Sequence, residues 1–268
     1  MTVNSVGDSL LHYSVREDYM YPFFKVLGFN ISAYSVMAVL GGIFVALFAY
    51  LRLRGKNKDW QEIFYFITYA FGFLVIGAML LYQIVELPNT IKGNFSMGLV
   101  FYGGLYGALA GIAIHSKINE KDSREIFMYL TPAIPLFHVF GRIGCFLSGC
   151  CHGMESESMG ILHPNGISYF PVQLVEACGD LIIFIILCLM KNKNKKYYQP
   201  IGIYLVLYGI MRFVLEFFRG DEVRGFLGIF STSQWISLVT IPFGIYCLVI
   251  ATEKNFLNKL YTPRKKEK

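Results

Sequence analysis

Charged residues are scarce in this 268-residue sequence, and their scarcity excludes an ordinary soluble domain. Asp, Glu, Lys and Arg together make up 16% of the chain, whereas hydrophobic residues make up 55%. Soluble domains carry about 25% charged residues. The sequence also lacks a linker, a low-complexity tract and a convincing internal repeat. We therefore expect a single membrane domain over residues 1–268.

The six cysteines lack the pattern of a secreted disulfide framework. Cys178, Cys188 and Cys247 stand singly in apolar runs, where cysteine commonly serves as a small core residue. No C-x-x-C motif occurs. A cleavable signal peptide is not expected, because charged residues interrupt any apolar run near the N-terminus.

Long apolar windows dominate the rest of the chain. A helix that crosses a bilayer needs about 20 predominantly apolar residues, and seven windows approach this length. The pattern predicts an all-α polytopic integral membrane protein with about seven transmembrane helices. The windows cover roughly residues 29–51, 60–82, 97–115, 126–150, 171–190, 201–218 and 231–251.

Basic residues are distributed unevenly between the loops. Cytoplasmic loops are enriched in Lys and Arg, so the bias predicts an outside N-terminus and a cytoplasmic C-terminus. Residues 1–28 would then be an outer-face interfacial arm and 252–268 a basic cytoplasmic tail. The net charge of +6 follows this bias and does not indicate a nucleic-acid partner. The basic segments are 52–59, 115–125, 191–200 and the tail after residue 251.

Several charged residues interrupt the apolar windows. An arginine at the centre of a membrane helix costs about 2.5–3.5 kcal/mol, so Arg142 requires a partner or a function. Arg212, Glu216 and Arg219 are spaced to share one helix face at a similar outward depth. Three arginines beside one glutamate predict a site for the phosphate of an anionic outer-leaflet phospholipid. The alternative to a phosphate site is that Glu216 only neutralises Arg212, and that this pair fixes the register of the helix. His138, one turn before Arg142, fits either a structural role or proton transfer.

Cysteines cluster at Cys145, Cys150 and Cys151, followed by His152. The spacing C-x4-C-C-H is not a familiar zinc pattern, and no second ligand pair stands elsewhere, so no metal is expected. An outer, oxidising location leaves open a disulfide, for example between Cys145 and Cys150, or a redox role for the thiols.

The run Gly-Arg-Ile-Gly-Cys-Phe-Leu-Ser-Gly at 141–149 resembles the signature of the prolipoprotein diacylglyceryl transferase family. The likeness extends over most of the chain. The topology predicted above, with seven spans, is also that of the family. The other matching motifs, in the family's order, are Ala33-Tyr34, Phe101-Tyr102-Gly103-Gly104-Leu105, Pro171-Val172-Gln173-Leu174-x-Glu176 and Tyr208-Gly-x-x-Arg212-x-x-x-Glu216-Phe-Phe-Arg219.

The resemblance implies transfer of the diacylglyceryl group of phosphatidylglycerol to a thiol, with release of glycerol phosphate. The acceptor would be the lipobox cysteine of a prolipoprotein signal peptide. The site would open to the outer face of a bacterial cytoplasmic membrane, without a cofactor. Arg142, Arg212 and Glu216 would be catalytic, while the base that takes the thiol proton is left open among Glu216, His138 and a tyrosine. The implied substrate-binding positions are Tyr34, Tyr102, Gly103, Gly104, Cys145, Gly153, Gln173, Tyr208 and Arg219.

The chain departs from the family pattern within the signature itself. The family has Asn at the position of Cys145, Asn at that of Ser148 and Glu at that of Cys150. Two alternatives follow: a related lipid-group transferase with a different acceptor, and a membrane thiol oxidoreductase that uses Cys145, Cys150 and Cys151. A non-enzymatic lipid carrier ranks last, because no matched pair of interrupted helices is present.

Overall fold

The computed structural model is mostly helical. It describes residues 23–26, 29–54, 59–85, 87, 91, 101–163, 165–190, 197–220, 226–227, 229–249, 260 and 262. The helices in these ranges are α1 (Ala33–Arg54), α2 (Trp60–Val85), α3 (Phe101–Ile118), α4 (Arg124–Leu130), α5 (Ala133–Leu147), α6 (Val172–Leu189), α7 (Gln199–Leu215) and α8 (Thr232–Val249). A 3-10 turn, Glu216–Phe218, continues α7.

Short strands form three antiparallel hairpins in the described part of the chain. Because each hairpin has only two short strands, it adds little stability by itself and depends on neighbouring elements. The pairs are β1 (Phe23–Val26) with β2 (Phe29–Ser32), β3 (Ile161–Leu162) with β4 (Ser168–Tyr169), and β5 (Phe226–Leu227) with β6 (Phe230–Ser231).

Within the described ranges, six helical segments are long and apolar enough to cross a membrane. The prediction of a multi-pass helical membrane protein is therefore confirmed, whereas a seventh span and the orientation stay predictions. The described part of the third window, α3, ends in a polar turn with His115 and Lys117. The six segments are Ala33–Arg54, Trp60–Ile84, Arg124–Leu147, Val172–Leu189, Gln199–Phe218 and Thr232–Val249.

The limits of two predicted spans were wrong. Residues 29–32, expected in the first helix, form β2. The fourth window is not one continuous helix: α4 ends at Leu130, and α5 begins at Ala133 after Thr131 and Pro132. Proline has no N–H to donate, so Pro132 interrupts the hydrogen-bond ladder. The same window was extended to Cys150, whereas α5 ends at Leu147. The sixth window, 201–218, agrees with the span Gln199–Phe218, whose last three residues form the 3-10 turn.

Large apolar side chains cover the outer faces of the helices. Phe64 and Phe71 of α2 are 67% and 64% exposed, and Val239 of α8 is 71% exposed. Water would make such a surface aggregate, whereas lipid tails solvate it. Residues 1–22 of the expected interfacial arm, and all of the expected tail except Leu260 and Thr262, lie outside the described residues.

The chain divides into two compact units. The second unit comprises Leu47–Pro132, Leu189–Tyr204 and Phe243–Lys268. Here Gly103, Gly107 and Gly111 of α3 face α2, and a Cβ at Gly107 would collide with the carbonyl of Phe73. These three glycines therefore form a packing face for α2. The apolar core of this unit consists of Leu53, Ile63, Phe66, Ile112, Ile126, Phe127, Tyr198 and Cys247.

The first unit comprises Met1–Ala46, Ala133–Cys188 and Leu205–Pro242. Its interior is partly polar, because α6 buries Gln173, Glu176 and Asp180 together with apolar residues. This unit contains the residues from which the candidate site is built.

Candidate active site

A row of polar side chains runs along the buried face of α6. Gln173, Glu176 and Asp180 are 1%, 1% and 0% exposed, although their helix is otherwise strongly apolar. Their spacing of three and four residues places them on one helix face. A buried carboxylate is costly unless a cation or hydrogen-bond donors compensate it. The partners of Glu176 are therefore the starting point for the site.

Glu176 contacts two arginines from two other helices. Its Oε1 lies 2.8 Å from Nη2 of Arg142 on α5, and its Oε2 lies 3.7 Å from Nη1 of Arg212 on α7. The hydroxyl of Tyr208 donates to Oε1 over 3.4 Å. One carboxylate thus holds two guanidinium groups side by side.

Glu216 continues this arrangement on the other side of Arg212. Its Oε2 lies 2.8 Å from Nη2 of Arg212 and 3.9 Å from Nη1 of Arg219. Arg212 Nη2 also donates to Oγ of Ser233 over 3.1 Å. The shared face of Arg212, Glu216 and Arg219 that the spacing predicted is confirmed. We call the set Arg142, Glu176, Arg212, Glu216 and Arg219 the arginine–glutamate chain.

The expected charge balance was wrong in one respect. The spacing predicted a single glutamate beside three arginines, and Glu176 was not among the expected site residues. The structure adds Glu176 to the arginine–glutamate chain. It also buries Asp180 one turn away on α6. A signal was present, because carboxylates in an apolar membrane window are functional by default. The surplus of positive charge is consequently smaller than predicted.

His138 belongs to the same interior. Its Nδ1 lies 3.9 Å from Oδ1 of Asp180, and its ring packs beside that of Tyr208 with 5.2 Å between centroids. The side chain of His138 is 12% exposed. This position lies next to the arginine–glutamate chain, so both roles predicted for His138 stay open.

Tyr34 and Gln173 contact the segments that position the arginine–glutamate chain. Tyr34 of α1 packs closely against Gly144, where an added Cβ would lie 3.2 Å from Cδ2 of the tyrosine ring. Tyr34 is 47% exposed and interacts electrostatically with Arg142. Gln173 donates from Nε2 to the carbonyl of Cys150 over 2.8 Å and so fixes the segment after α5.

The chain reverses sharply after α5 and brings three cysteines together. Gly149 adopts a left-handed conformation with φ of 71°, and Cys150 N–H donates to the carbonyl of Cys145 over 3.1 Å. The Sγ atoms of Cys145, Cys150 and Cys151 lie within 4.8 Å of one another. We call these residues the cysteine trio. All six cysteines in the chain are free thiols in this structure.

Cys151 occupies an unusual backbone and electrostatic environment. Its φ of 59° is left-handed, which costs a residue with a Cβ about 1–2 kcal/mol. Hydrogen bonds from the thiols of Cys145 and Cys150 lower the pKa of the Cys151 thiol, and the guanidinium groups of Arg219 and Arg142 lower it further. The trio is therefore electrostatically connected to the arginine–glutamate chain.

Gly153 links the segment after the trio to Arg219. Its backbone forms an antiparallel bridge with Arg219, and Met154 N–H donates to the carbonyl of Phe218 over 2.9 Å. An added Cβ at Gly153 would collide with the carbonyl of Phe170 and lie 2.9 Å from that of Phe218. Glycine is needed here because two backbones approach closely.

Tyr102, Gly103 and Gly104 belong to the second unit. Gly103 contacts the backbone of Gly77, and a Cβ at Gly104 would lie 3.4 Å from Leu74. The side chain of Tyr102 lies outside the described residues. The substrate-binding roles predicted for these residues stay predictions.

The arginine–glutamate chain is suited to bind an anion. Guanidinium groups match phosphate oxygens with pairs of N–H donors. Arg142 has a side chain 22% exposed, against 9% for Arg212, so Arg142 is the more accessible of the two. The carboxylates fix the arginines before a ligand arrives, which reduces the cost of ordering them.

Comparisons with known proteins identify the family of this chain. A family model described as prolipoprotein diacylglyceryl transferase matches residues 22–250. The phosphatidylglycerol–prolipoprotein diacylglyceryl transferase 2 of Clostridium perfringens is 35% identical over 236 residues, which cover 82% of this chain and 91% of that protein. The corresponding transferase of Clostridium tetani is 31% identical, over 83% of this chain and 94% of its own length. With a matched region that spans most of its length, this chain belongs to the prolipoprotein diacylglyceryl transferase family.

Proposed function

We propose that this protein transfers the diacylglyceryl group of phosphatidylglycerol to the thiol of a lipobox cysteine in a prolipoprotein and releases glycerol phosphate. The arginine–glutamate chain, buried within an apolar helical unit, carries the proposal. The names of the bacterial relatives support the donor and the class of acceptor.

The arginines act on the leaving group. In the reaction, the acceptor sulfur bonds to the glyceryl carbon that carries the phosphate ester, and the bond from that carbon to oxygen breaks. Negative charge then grows on the departing glycerol phosphate. Arg142 and Arg212 stabilise this charge where it develops, in a site that excludes most water. Glu176 and Glu216 position the two arginines.

The acceptor thiol must lose its proton during the attack. The sequence left this step open among Glu216, His138 and a tyrosine, and Tyr208 is a tyrosine that lies in the site. His138 and Tyr208 are adjacent, and the hydroxyl of Tyr208 donates a hydrogen bond to Oε1 of Glu176. A general base has to lie within hydrogen-bond reach of the proton it removes, either directly or through one water molecule.

The proposal includes a membrane topology. The protein has seven spans, of which α3 belongs to one, with its N-terminus outside and its C-terminus in the cytoplasm. The distribution of Lys and Arg between the loops supports this orientation. Arg219 and the cysteine trio then lie towards the outer face, where phosphatidylglycerol and exported prolipoproteins meet.

The test is a transfer assay with the purified full chain. Micelles of phosphatidylglycerol and a synthetic lipobox peptide are incubated with the protein, and mass spectrometry measures the diacylglyceryl adduct on the peptide cysteine. We expect the adduct to form, and to be lost in Arg142→Gln and Arg212→Gln.

Arg124→Gln is the matched control, because this arginine pairs with Asp122 at 2.7 Å in the second unit. It should retain transfer. Absence of an adduct, while an established family member forms one in the same micelles, would exclude this acceptor. Transfer that survived the loss of both site arginines would refute the proposed mechanism.

A further inference from the structure

The cysteine trio is the one cluster of soft metal ligands in the described part of the chain, and the arginine chemistry does not use it. Its three sulfurs lie within 4.8 Å of one another. Around one zinc ion with bonds of about 2.3 Å, tetrahedral ligands lie about 3.8 Å apart, so a contraction of about 1 Å brings them into place. Side-chain rotation alone can supply such a shift.

The backbone is folded in a way that holds this cluster. Gly149 reverses the chain, Cys150 N–H bonds the carbonyl of Cys145, and Gln173 holds the carbonyl of Cys150. Cys151 is kept at a left-handed φ of 59°, which a residue with a side chain rarely adopts. Strain of this kind persists where the surrounding structure enforces it, and it concentrates at functional sites.

We propose that the cysteine trio binds one thiophilic divalent cation of the zinc type through three thiolates, and that the fourth coordination position receives the acceptor thiol. The second half of this inference rests on the proposed function. Three protein ligands with one open position are the pattern of catalytic zinc sites, whereas structural sites are closed by four.

No fourth protein ligand joins the cluster among the described residues. His152, the nearest candidate in sequence, has Nδ1 3.0 Å from the carbonyl of Gly153. Its ring packs against His163 and Tyr169. Cys150 is exposed, which provides a path by which an ion and a thiol can enter.

The charges are also compatible. One divalent ion with three thiolates carries a net charge of −1, and the guanidinium groups of Arg142 and Arg219 act electrostatically on Cys151. The ion would place an acceptor sulfur next to the arginines that hold the phosphate.

The reaction step balances without an oxidant or a reductant. The acceptor thiol binds the ion and releases its proton to solvent, because a coordinated thiol is held as the thiolate. The bound sulfur attacks the glyceryl carbon, a carbon–sulfur bond forms, and the carbon–oxygen bond breaks with its electron pair going to glycerol phosphate. The product is a neutral thioether, a weaker ligand than a thiolate, and it leaves the ion.

The binding test uses Co²⁺ as a probe on the reduced, purified full chain. We expect one ion per chain, with the visible absorption of a tetrahedral cobalt–thiolate site and displacement by Zn²⁺. Cys145→Asn, Cys150→Glu and Cys151→Ser should each weaken cobalt binding by more than about 100-fold. Loss of an outer-shell partner alone costs up to that factor, and these variants remove a direct ligand. The first two restore the residues of the family pattern, so these variants should fold. Cys178→Ser, a single cysteine on α6, is the control and should bind cobalt normally.

The spectrum and the transfer assay together separate the two proposals. Addition of the lipobox peptide should change the cobalt bands, and a chelator should abolish transfer until Zn²⁺ is restored. A chain that transfers the lipid but binds no ion, or whose trio forms a disulfide instead, overturns this inference and leaves the proposed function intact. If the chelator does not affect transfer, the acceptor thiol does not bind at the open coordination position of the ion. If the ion binds but its bands do not respond to the peptide, and the protein shows no transfer, then the lipobox peptide is not the acceptor.

Discussion

The guanidinium of Arg142 lies 2.8 Å from the carboxylate of Glu176, which another helix supplies. The same carboxylate reaches Arg212 at 3.7 Å. Removing its charge would leave the buried Arg212 and the partly buried Arg142 with less compensation. We therefore expect Glu176→Gln to lower the free energy of unfolding by about 3 kcal/mol, the lower end for a broken buried pair.

Thermal unfolding in detergent, together with the transfer assay, measures this effect. Glu155→Gln, an exposed acid in the loop after the trio, is the matched control and should unfold like the parent protein. Equal stability of the Glu176 and Glu155 variants would contradict the pairing.

Arg142→Lys tests whether charge alone is sufficient at the phosphate site. Lysine keeps the positive charge but loses the fork of N–H donors that a phosphate can accept in pairs. We expect a fall of about 100-fold in kcat, the effect of removing one donor to a developing oxyanion. Arg124→Lys on α4 should change nothing in the same assay. A lysine variant as active as the parent would mean that Arg142 does not hold the leaving group through a fork.

Gly153→Ala should destabilise the protein, because its methyl group would meet the carbonyls of Phe170 and Phe218. The cost of such overpacking is about 1–3 kcal/mol. Gly141→Ala is the matched control, since nothing lies within 4 Å of a Cβ there. Alanine should stabilise that helical position slightly. The measurement is the melting temperature of each variant compared with that of the parent. If Gly153→Ala does not lower the melting temperature, the backbone carbonyls do not approach Gly153 as closely as described.

Gly107→Ala should loosen the contact between α2 and α3. The new methyl group would collide with the carbonyl of Phe73, and backbone cannot move aside as a flexible side chain does. Gly72→Ala on α2 points into open space and serves as the control. We expect a lower melting temperature for the first variant alone. Identical melting of both would show that the helices do not need this close packing.

Local periodicity was enough to predict part of the site. Arg212, Glu216 and Arg219 lie one turn apart on a continuous segment, so their spacing determines that they meet. The pair of Arg142 and Glu176 joins two helices, and its existence depends on packing that no spacing within one helix encodes.

The close approach of the cysteine trio depends on where the helix ends, and this limit was predicted too late in the chain. In a helix that continued to Cys150, that residue would point about 140° away from Cys145. The helix instead ends at Leu147, and Gly149 turns the chain back on itself. The end of a helix therefore decides whether the two thiols face each other, and helix ends are the least predictable part of such an assignment.

The bridge between Gly153 and Arg219 ties the loop after the trio to the end of the arginine–glutamate chain. A movement that lifts this loop must also displace the backbone of Arg219, so entry of a bulky acceptor and the local positive potential are mechanically coupled. The amide hydrogen of Met154, which is bonded to the carbonyl of Phe218, reports on this motion through its rate of exchange with deuterium. An acceptor peptide that opens the loop would accelerate that exchange, and a phospholipid bound to the arginines would slow it.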